Sequence, residues 1–290
     1  MKNRNIVKQD FKLVNAKYKL DTFEIKFILT ALAQIDADDV EFKEYEIKVS
    51  ELESKLQAEL NETRLKQFAK RLMSKPLEVP TDSGWIVFNW FSKIQYFSKD
   101  SKFVVKIDDD LKPYLIELKE RFIKYNLSYI LPLSSNYSIR IYQLLKEYEK
   151  LKIRTFSLTE LQELLQVPPS LKIYNRFKEK VLLVAQKELF ENCDIFFDYE
   201  EKKERKKVTD IIFRINANVK KKVDKNPALF ECETSKYAQY IGCLVDTVDG
   251  HKTIALVTPY DKFLKIDFTD GTSKNVEYLK FVQAFALGGV

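Results

Sequence analysis

Residues 111–150 read LKPYLIELKERFIKYNLSYILPLSSNYSIRIYQLLKEYEK, and the fold turns on how this stretch divides. Two amphipathic segments meet here, separated by Ser128-Tyr-Ile-Leu-Pro-Leu-Ser-Ser135. In the first, Leu111, Tyr114, Leu115, Leu118, Phe122 and Tyr125 recur at three- and four-residue steps, which predicts a helix with one apolar stripe. Asp108-Asp-Asp110 precedes it and Pro113 falls in its opening turn, both suited to the positive end of a helix dipole. In the second, Ile141, Leu144, Leu145 and Tyr148 form the stripe, with Ser135 placed to cap it. Pro132 keeps one helix from running into the next. The stretch reads as a hinge between two globular halves.

Upstream, residues 5–20 alternate weakly, and Asp21-Thr-Phe-Glu24 is a capping-box pattern ahead of a helix with Phe27, Ile28, Ala31, Leu32 and Ile35 inward. Glu44–Val49 alternates like a strand, Ser50 caps a short helix to about Leu56, and Asn61 opens a longer one through Met73. Leu65, Phe68, Ala69 and Leu72 face inward on it. Strand-like segments follow at Leu77–Val79, Trp85–Tyr96 and Phe103–Ile107, with turns at Gly84 and Lys99-Asp-Ser101. Helix, short strand, helix, helix, hairpin is the order of a winged helix-turn-helix.

Downstream the order recurs. The helix of Tyr137–Glu149 is followed by a strand at 154–158, a helix at Thr159–Gln166 and a long helix from about Leu171 to Phe190. A hairpin closes the unit, with strands Asp194–Tyr199 and Val208–Ile215 around Glu200–Lys207. Ile47-Lys-Val-Ser-Glu-Leu-Glu53 matches Phe156-Ser-Leu-Thr-Glu-Leu-Gln162 at an offset of 109 residues, and Phe68 and Leu72 fall in register with Phe177 and Val181. The expected fold class is α+β: two tandem winged-helix domains, residues 1–130 and 131–222, with a small β-rich appendage at 223–290. In that appendage Tyr240–Val248, Lys252–Val257, Phe263–Phe268 and Lys274–Val276 alternate as strands, a compact barrel being one arrangement open to them.

With the inward stripe removed, the third helix of the first unit presents Thr63, Arg64, Lys66, Gln67, Lys70 and Arg71. The corresponding helix of the second presents Lys172, Asn175, Arg176, Lys178, Glu179 and Lys180. Arg and Lys suit guanine edges, Asn and Gln suit adenine edges, and such side chains near a recognition-helix N-terminus reach bases. A single charged helix face is usually only solvated. Two such faces, each poor in acids and each in the third-helix position, favour nucleic acid. Lys202, Lys203, Arg205, Lys206 and Lys207 crowd the second wing, where they repel one another unless a polyanion is present. The first wing is less basic, with Lys93, Lys99 and Lys102, and its Trp85, Phe88, Trp90 and Phe91 read as packing or as a partner surface.

Composition excludes several classes. The net charge is +6; residues 225–290 hold 7 Lys against 8 Asp and Glu, so residues 1–224 carry 42 basic against 35 acidic. The one histidine, His251, sits by Gly250 in an expected turn and rules out chemistry that needs paired histidines. Cys193, Cys232 and Cys243 lack metal-type spacing and read as reduced thiols. There is no GxxxxGK[ST] and no GxGxxG after a strand. Asp108-Asp-Asp110 is a helix cap rather than a metal cluster. No catalytic residue, metal or cofactor is expected. Without a signal-peptide core or a bilayer-length apolar run, the expected location is the cytoplasm.

Several segments carry a family resemblance in the same order: Phe88-Asn-Trp-Phe-Ser-Lys-Ile-Gln-Tyr96, Val104-Val-Lys-Ile-Asp108, Leu111-Lys-Pro-Tyr-Leu115, Tyr137-Ser-Ile-Arg-Ile-Tyr-Gln-Leu-Leu145, Tyr174-Asn-Arg-Phe-Lys178 and Lys207-Val-Thr-Asp-Ile-Ile-Phe213. Over Asn5–Asn216 the chain resembles the winged-helix replication initiators of theta-replicating plasmids, the Rep (RepB/RepE/Pi-like) superfamily. Where such proteins carry an acidic-Pro-Ala step, this chain has Leu183-Val-Ala185. The resemblance implies double-stranded DNA as partner, with monomers on origin direct repeats (iterons) and homodimers on an inverted-repeat operator that represses the chain's own gene. It further implies recruitment of host replication proteins, such as an initiator and a helicase, and no catalysis. A winged-helix transcriptional repressor without a replication role is the alternative. A nickase or nuclease, and an appendage acting as a protein-interaction module, are more distant ones.

Overall fold

The computed structural model describes residues 5–36, 38–50, 61–81, 83–118, 121–218, 244–247, 250–260, 263–270 and 272–277. The chain forms two compact units, Met1–Val219 and Lys220–Val290.

The first unit opens with β1 (Ile6–Asp10), α1 (Phe11–Val14) and α2 (Thr22–Leu32). The capping box on α2 is complete: Asp21 accepts from the Glu24 backbone N–H, and the Glu24 carboxylate accepts from that of Asp21. After β2 (Glu44–Lys48), Val49 and Ser50 are helical, and the rest of the short helix expected there lies outside the described residues. Next come α3 (Glu62–Met73), β3 (Leu77–Thr81), β4 (Gly84–Phe88), β5 (Phe91–Phe97) and β6 (Lys102–Ile107). The strand expected over Trp85–Tyr96 is thus two strands, broken at Asn89 and Trp90. Trp90 turns into the core, 4% exposed, with its ring edge-on to Tyr18.

The helix expected from Leu111 through Tyr125 is not there. A 3-10 turn (Asp109–Leu111) leads into the one-turn α4 (Lys112–Leu115), and Phe122–Asn126 is a strand, β7, antiparallel to β1. Ile123 and Tyr125 are buried while Phe122 and Lys124 are exposed, a period of two that a short apolar run shares with a helical stripe. The partner strand more than 100 residues upstream decides between them, since pairing satisfies the backbone of both segments.

α5 (Asn136–Lys146) then opens the repeat, capped by Ser135 as expected. It is followed by β8 (Ile153–Ser157) and α6 (Leu158–Leu164). The cap of α6 is Ser157, which accepts from Glu160 N, and not Thr159, because the strand ends one residue earlier than expected and Leu158 is already helical. A 3-10 turn (Pro169–Leu171) precedes one continuous helix made of α7 (Tyr174–Phe177), a π turn (Lys178–Leu182) and α8 (Leu183–Asn192). β9 (Ile195–Glu204) and β10 (Lys207–Ala217) form the closing hairpin, longer than expected, with Arg205 and Lys206 at its turn.

The offset of 109 holds in three dimensions. β2 and β8 start and end in register with the same alternation of exposed and buried residues, and the sheets β2–β6–β5 and β8–β10–β9 share one strand order. These are two tandem winged-helix domains. The β3–β4 hairpin has no counterpart in the second copy, where α8 passes to β9 through two residues. Phe27 lies edge-on to Phe68, Phe91 and Phe103 in the first core, and Phe213 meets Phe156 and Phe197 in the second. All belong to a single buried cluster.

In the second unit β11 (Leu244–Thr247), β12 (Gly250–Tyr260), β13 (Phe263–Phe268) and β14 (Ser273–Glu277) form an antiparallel meander in chain order. Among the described residues it does not close into a barrel. His251 and Gly250 belong to β12, with His251 opposite Asp246, so neither forms the turn expected there. Cys232, Cys243 and the Asn226-Pro227 boundary lie outside the described residues.

Candidate nucleic-acid interface

Asn61 caps α3 by accepting from Arg64 N at 2.9 Å. Leu65, Phe68 and Leu72 then fall on one buried face, with Phe68 against Phe23 and Phe27 at 4.6 and 5.0 Å between ring centroids. What remains outward is Thr63, Arg64, Lys66, Gln67, Lys70 and Arg71, all exposed. They are not equivalent. Arg71 is engaged, donating from Nε to Glu24 Oε1 at 2.8 Å and from Nη2 to Asp21 Oδ2 at 3.0 Å. Lys75 adds a further pair to the fully buried Glu24 at 2.7 Å. Arg64, Lys66 and Lys70 have no acidic partner among the described residues.

Burial pushes the Glu24 carboxyl up, but hydrogen bonds from Lys75, the Asp21 backbone and Arg71 outweigh it and hold the group below its ordinary value. A carboxylate lowered on folding stabilises the native state above its unfolded pKa, and that contribution is lost as pH falls through the folded value. Glu24→Gln is expected to cost about 1–3 kcal/mol at neutral pH. It should also flatten the stability–pH curve on the acid side of about pH 4. Urea melts of both proteins from pH 7 to pH 3 measure this, and parallel curves would sink it.

In the second copy, Phe177, Val181, Leu182, Ala185 and Leu189 are buried. The five-residue step from Phe177 to Leu182 is the π turn, which keeps both on the core side. Asn175, Arg176 and Lys180 are exposed. Lys172, expected on this helix, is exposed but precedes it; its carbonyl accepts from Gln162 Nε2 at 3.0 Å. Lys178 is half-buried and reaches Glu201 at 2.7 Å, which holds the Glu201 carboxyl down to about 2. Of the expected cations, Arg71 and Lys178 thus brace the third helix of each copy, while Arg64, Lys66, Lys70, Arg176 and Lys180 point away without acidic partners among the described residues.

The wings differ sharply. In the first, Lys93 pairs with Glu44, Lys102 with Glu46 at 2.8 Å and Lys106 with Asp109 at 2.9 Å. In the second, Lys202 and Lys203 lean on Asp210 and Glu201 at 3.6 and 3.2 Å, whereas Arg205, Lys206 and Lys207 are exposed without acidic partners among the described residues. Arg205 holds φ +56° to make the turn. The apolar residues of the first wing region also divide: Trp90 and Phe91 are core, but Trp85 on β4 is 67% exposed.

One group escaped sequence reading. Gln9, Tyr18, Tyr125, Arg140 and Gln143 form a buried polar cluster between β1, β7 and α5. Its signal was present: Arg140 and Gln143 interrupt the stripe of a helix on which every residue from Ser138 to Leu145 is buried. Among the described residues no group of histidine, cysteine and carboxylate side chains is arranged to hold a metal.

A family model described as "Initiator Replication protein, WH1" matches residues 6–146, and one described as "Initiator Rep protein, WH2" matches 157–215. Together they span well over half of the chain. The chain belongs to the Rep initiator family. A "Replication initiation protein" of Escherichia coli is 28% identical to this Rep chain over 191 residues, 61% of this chain. The match spans 60% of that relative's length. The crystal structure of a Pi initiator protein in complex with iteron DNA superposes with a TM-score of 0.61 at 21% identity, covering 76% of this chain and all of the other. That likeness supports the same tandem winged-helix fold.

Proposed function

We propose that this Rep chain is a sequence-specific DNA-binding initiator of plasmid replication that acts by binding and assembly, not catalysis. The observation that carries the reading is the repetition of one cationic device. In each winged-helix copy the third helix offers exposed Arg, Lys and Asn or Gln that outnumber its one exposed acid, Glu62 or Glu179, over a core in matched register. Thr63, Arg64, Lys66, Gln67 and Lys70 in one copy, and Asn175, Arg176 and Lys180 in the other, read bases or contact phosphates. Lys172 and the second wing, Lys202 to Lys207, hold the phosphate backbone. Arg71 and Lys178 act through their ion pairs, setting the pitch of each reader. The partners are origin direct repeats as double-stranded DNA, an inverted-repeat operator for autoregulation, and host replication proteins, with monomeric and dimeric forms of the chain.

Changing Arg205, Lys206 and Lys207 together to Gln is expected to reduce the slope of log affinity against log salt by about 2–3, since each phosphate contact contributes about 0.9. Titration of one labelled duplex between low and physiological salt measures the slope, and an unchanged value would remove the wing from the interface. The reading as a whole is tested by transforming a marker plasmid that carries this gene and its flanking DNA. Autonomous replication lost on changing the reader residues supports initiation. A lone palindrome beside the gene and no replication would favour repression alone.

A further inference from the structure

In the second copy, the angle between the third helix and the wing holds one carboxylate between two cations. Along β9, Phe197, Tyr199 and Glu201 alternate with the exposed Asp198, Glu200 and Lys202, so they share the face that packs inward. Glu201 stands where that face opens to solvent. Its Oε1 accepts from Lys178 Nζ, at the start of the π turn, at 2.7 Å, and its Oε2 lies 3.2 Å from Lys203 Nζ on the wing. The Glu201 side chain is 17% exposed, those of Lys178 and Lys203 39% and 53%. Lys178 is the chief cause that holds the Glu201 carboxyl down to about 2, so the group is a permanent anion at neutral pH.

The first copy closes the same angle differently. Its ladder rung Ile47, Phe103, Tyr96 across β2, β6 and β5 matches the rung Phe156, Ile211, Glu201 across β8, β10 and β9, because Ile47 and Phe156 are equivalent in the repeat. Tyr96 therefore stands where the second copy has Glu201. Ala69, next to Phe68 as Lys178 is next to Phe177, stands where it has Lys178. Ala69 and Tyr96 are half-buried against the core, with the Tyr96 ring 5.3 Å from that of Phe103. Apolar side chains close that seam by excluding water, and no anion can take their place. The second seam is held by partly exposed ion pairs, which contribute little to stability and can be exchanged for another anion.

We propose that the space held by the Glu201 carboxylate is a binding site for one backbone phosphate of DNA, which Glu201 itself fills while the chain is free. This rests on the DNA-binding function proposed above. Two ammoniums, one from the helix and one from the wing, converge there on separate oxygens of one anion, an arrangement that a phosphate satisfies equally well. The same helix and wing carry Arg176, Lys180 and Arg205, exposed and without acidic partners among the described residues. On DNA the phosphate replaces the carboxylate, and Lys178 goes on bracing the helix to the wing with the backbone as its anion. Glu201 thereby lowers the affinity for every duplex, since two cations must leave one anion before they gain another.

The test is titration of a labelled random-sequence duplex, from low to physiological salt, with the full chain and with Glu201→Gln, Glu204→Gln and Lys178→Gln, each checked for folding by thermal melting. Glu204 is exposed on the same strand and has no cationic partner among the described residues, so its change removes the same charge without freeing a lysine. Glu201→Gln is expected to bind at least about fivefold more tightly at physiological salt. It should also steepen the slope of log affinity against log salt by about 1–2, since each freed lysine that meets a phosphate contributes about 0.9. Glu204→Gln is expected to leave the slope unchanged. Equal effects of the two glutamate changes would reduce Glu201 to its net charge and overturn the proposal, as would weaker binding by a folded Glu201→Gln. Lys178→Gln serves if Glu201→Gln fails to fold: it is expected to flatten the slope by about 0.9, and an unchanged slope would overturn the proposal. An unaltered chain that shows no salt-dependent binding would instead overturn the DNA-binding function beneath it.

Discussion

Arg64→Ala and Arg176→Ala combined should weaken binding to the cognate duplex by about 2–6 kcal/mol, as each arginine that pairs with a base contributes about 1–3 kcal/mol. The two sit in different copies on separately packed helices, so their effects should add. Random duplex should lose far less, because phosphate contacts from the second wing remain. Electrophoretic or fluorescence titration on both duplexes decides the matter. Equal losses on the two would show that these side chains touch phosphates and would end their assignment as base readers.

The largest effect on stability is expected at Phe177, which is fully buried beneath the second reader helix. Phe177→Ala should cost about 3–5 kcal/mol, the sum of lost transfer energy and a cavity that a packed core cannot fully close. The π turn begins at the next residue, so collapse of the helix into the cavity would also rotate Asn175, Arg176 and Lys180 away from their present face. Guanidinium melts measure the first effect. Below the melting transition, specific DNA affinity should fall more than random affinity. A loss under about 1 kcal/mol would show that the site collapses without strain.

Much of this was legible in the chain because it rests on local chemistry. Asp21 and Glu24 announce α2 through their capping box, Asn61 and Ser135 announce α3 and α5, and the matched positions of Phe68 and Phe177 announce the repeat. What escaped depends on partners remote in sequence. Phe122–Asn126 is a strand only because Ile6–Asp10 lies beside it. The exposed faces of the reader helices were also legible, since removing an apolar stripe leaves the remainder. Which cations are already committed was not: Arg71 is tied down by Glu24, 47 residues away, and Lys178 by Glu201, 23 residues away. Arg140 and Gln143 were hidden by the ordinary expectation that charged and amide side chains on a helix face water.

The unequal wings have a kinetic consequence under the proposed function. The lysines Lys93, Lys102 and Lys106 spend their charge on neighbouring carboxylates, while Arg205, Lys206 and Lys207 project theirs into solvent. Long-range attraction to a polyanion acts on uncompensated charge, and it governs the encounter before any base is read. Under the proposed function, the second wing therefore contributes more to the long-range attraction toward DNA than the first wing does.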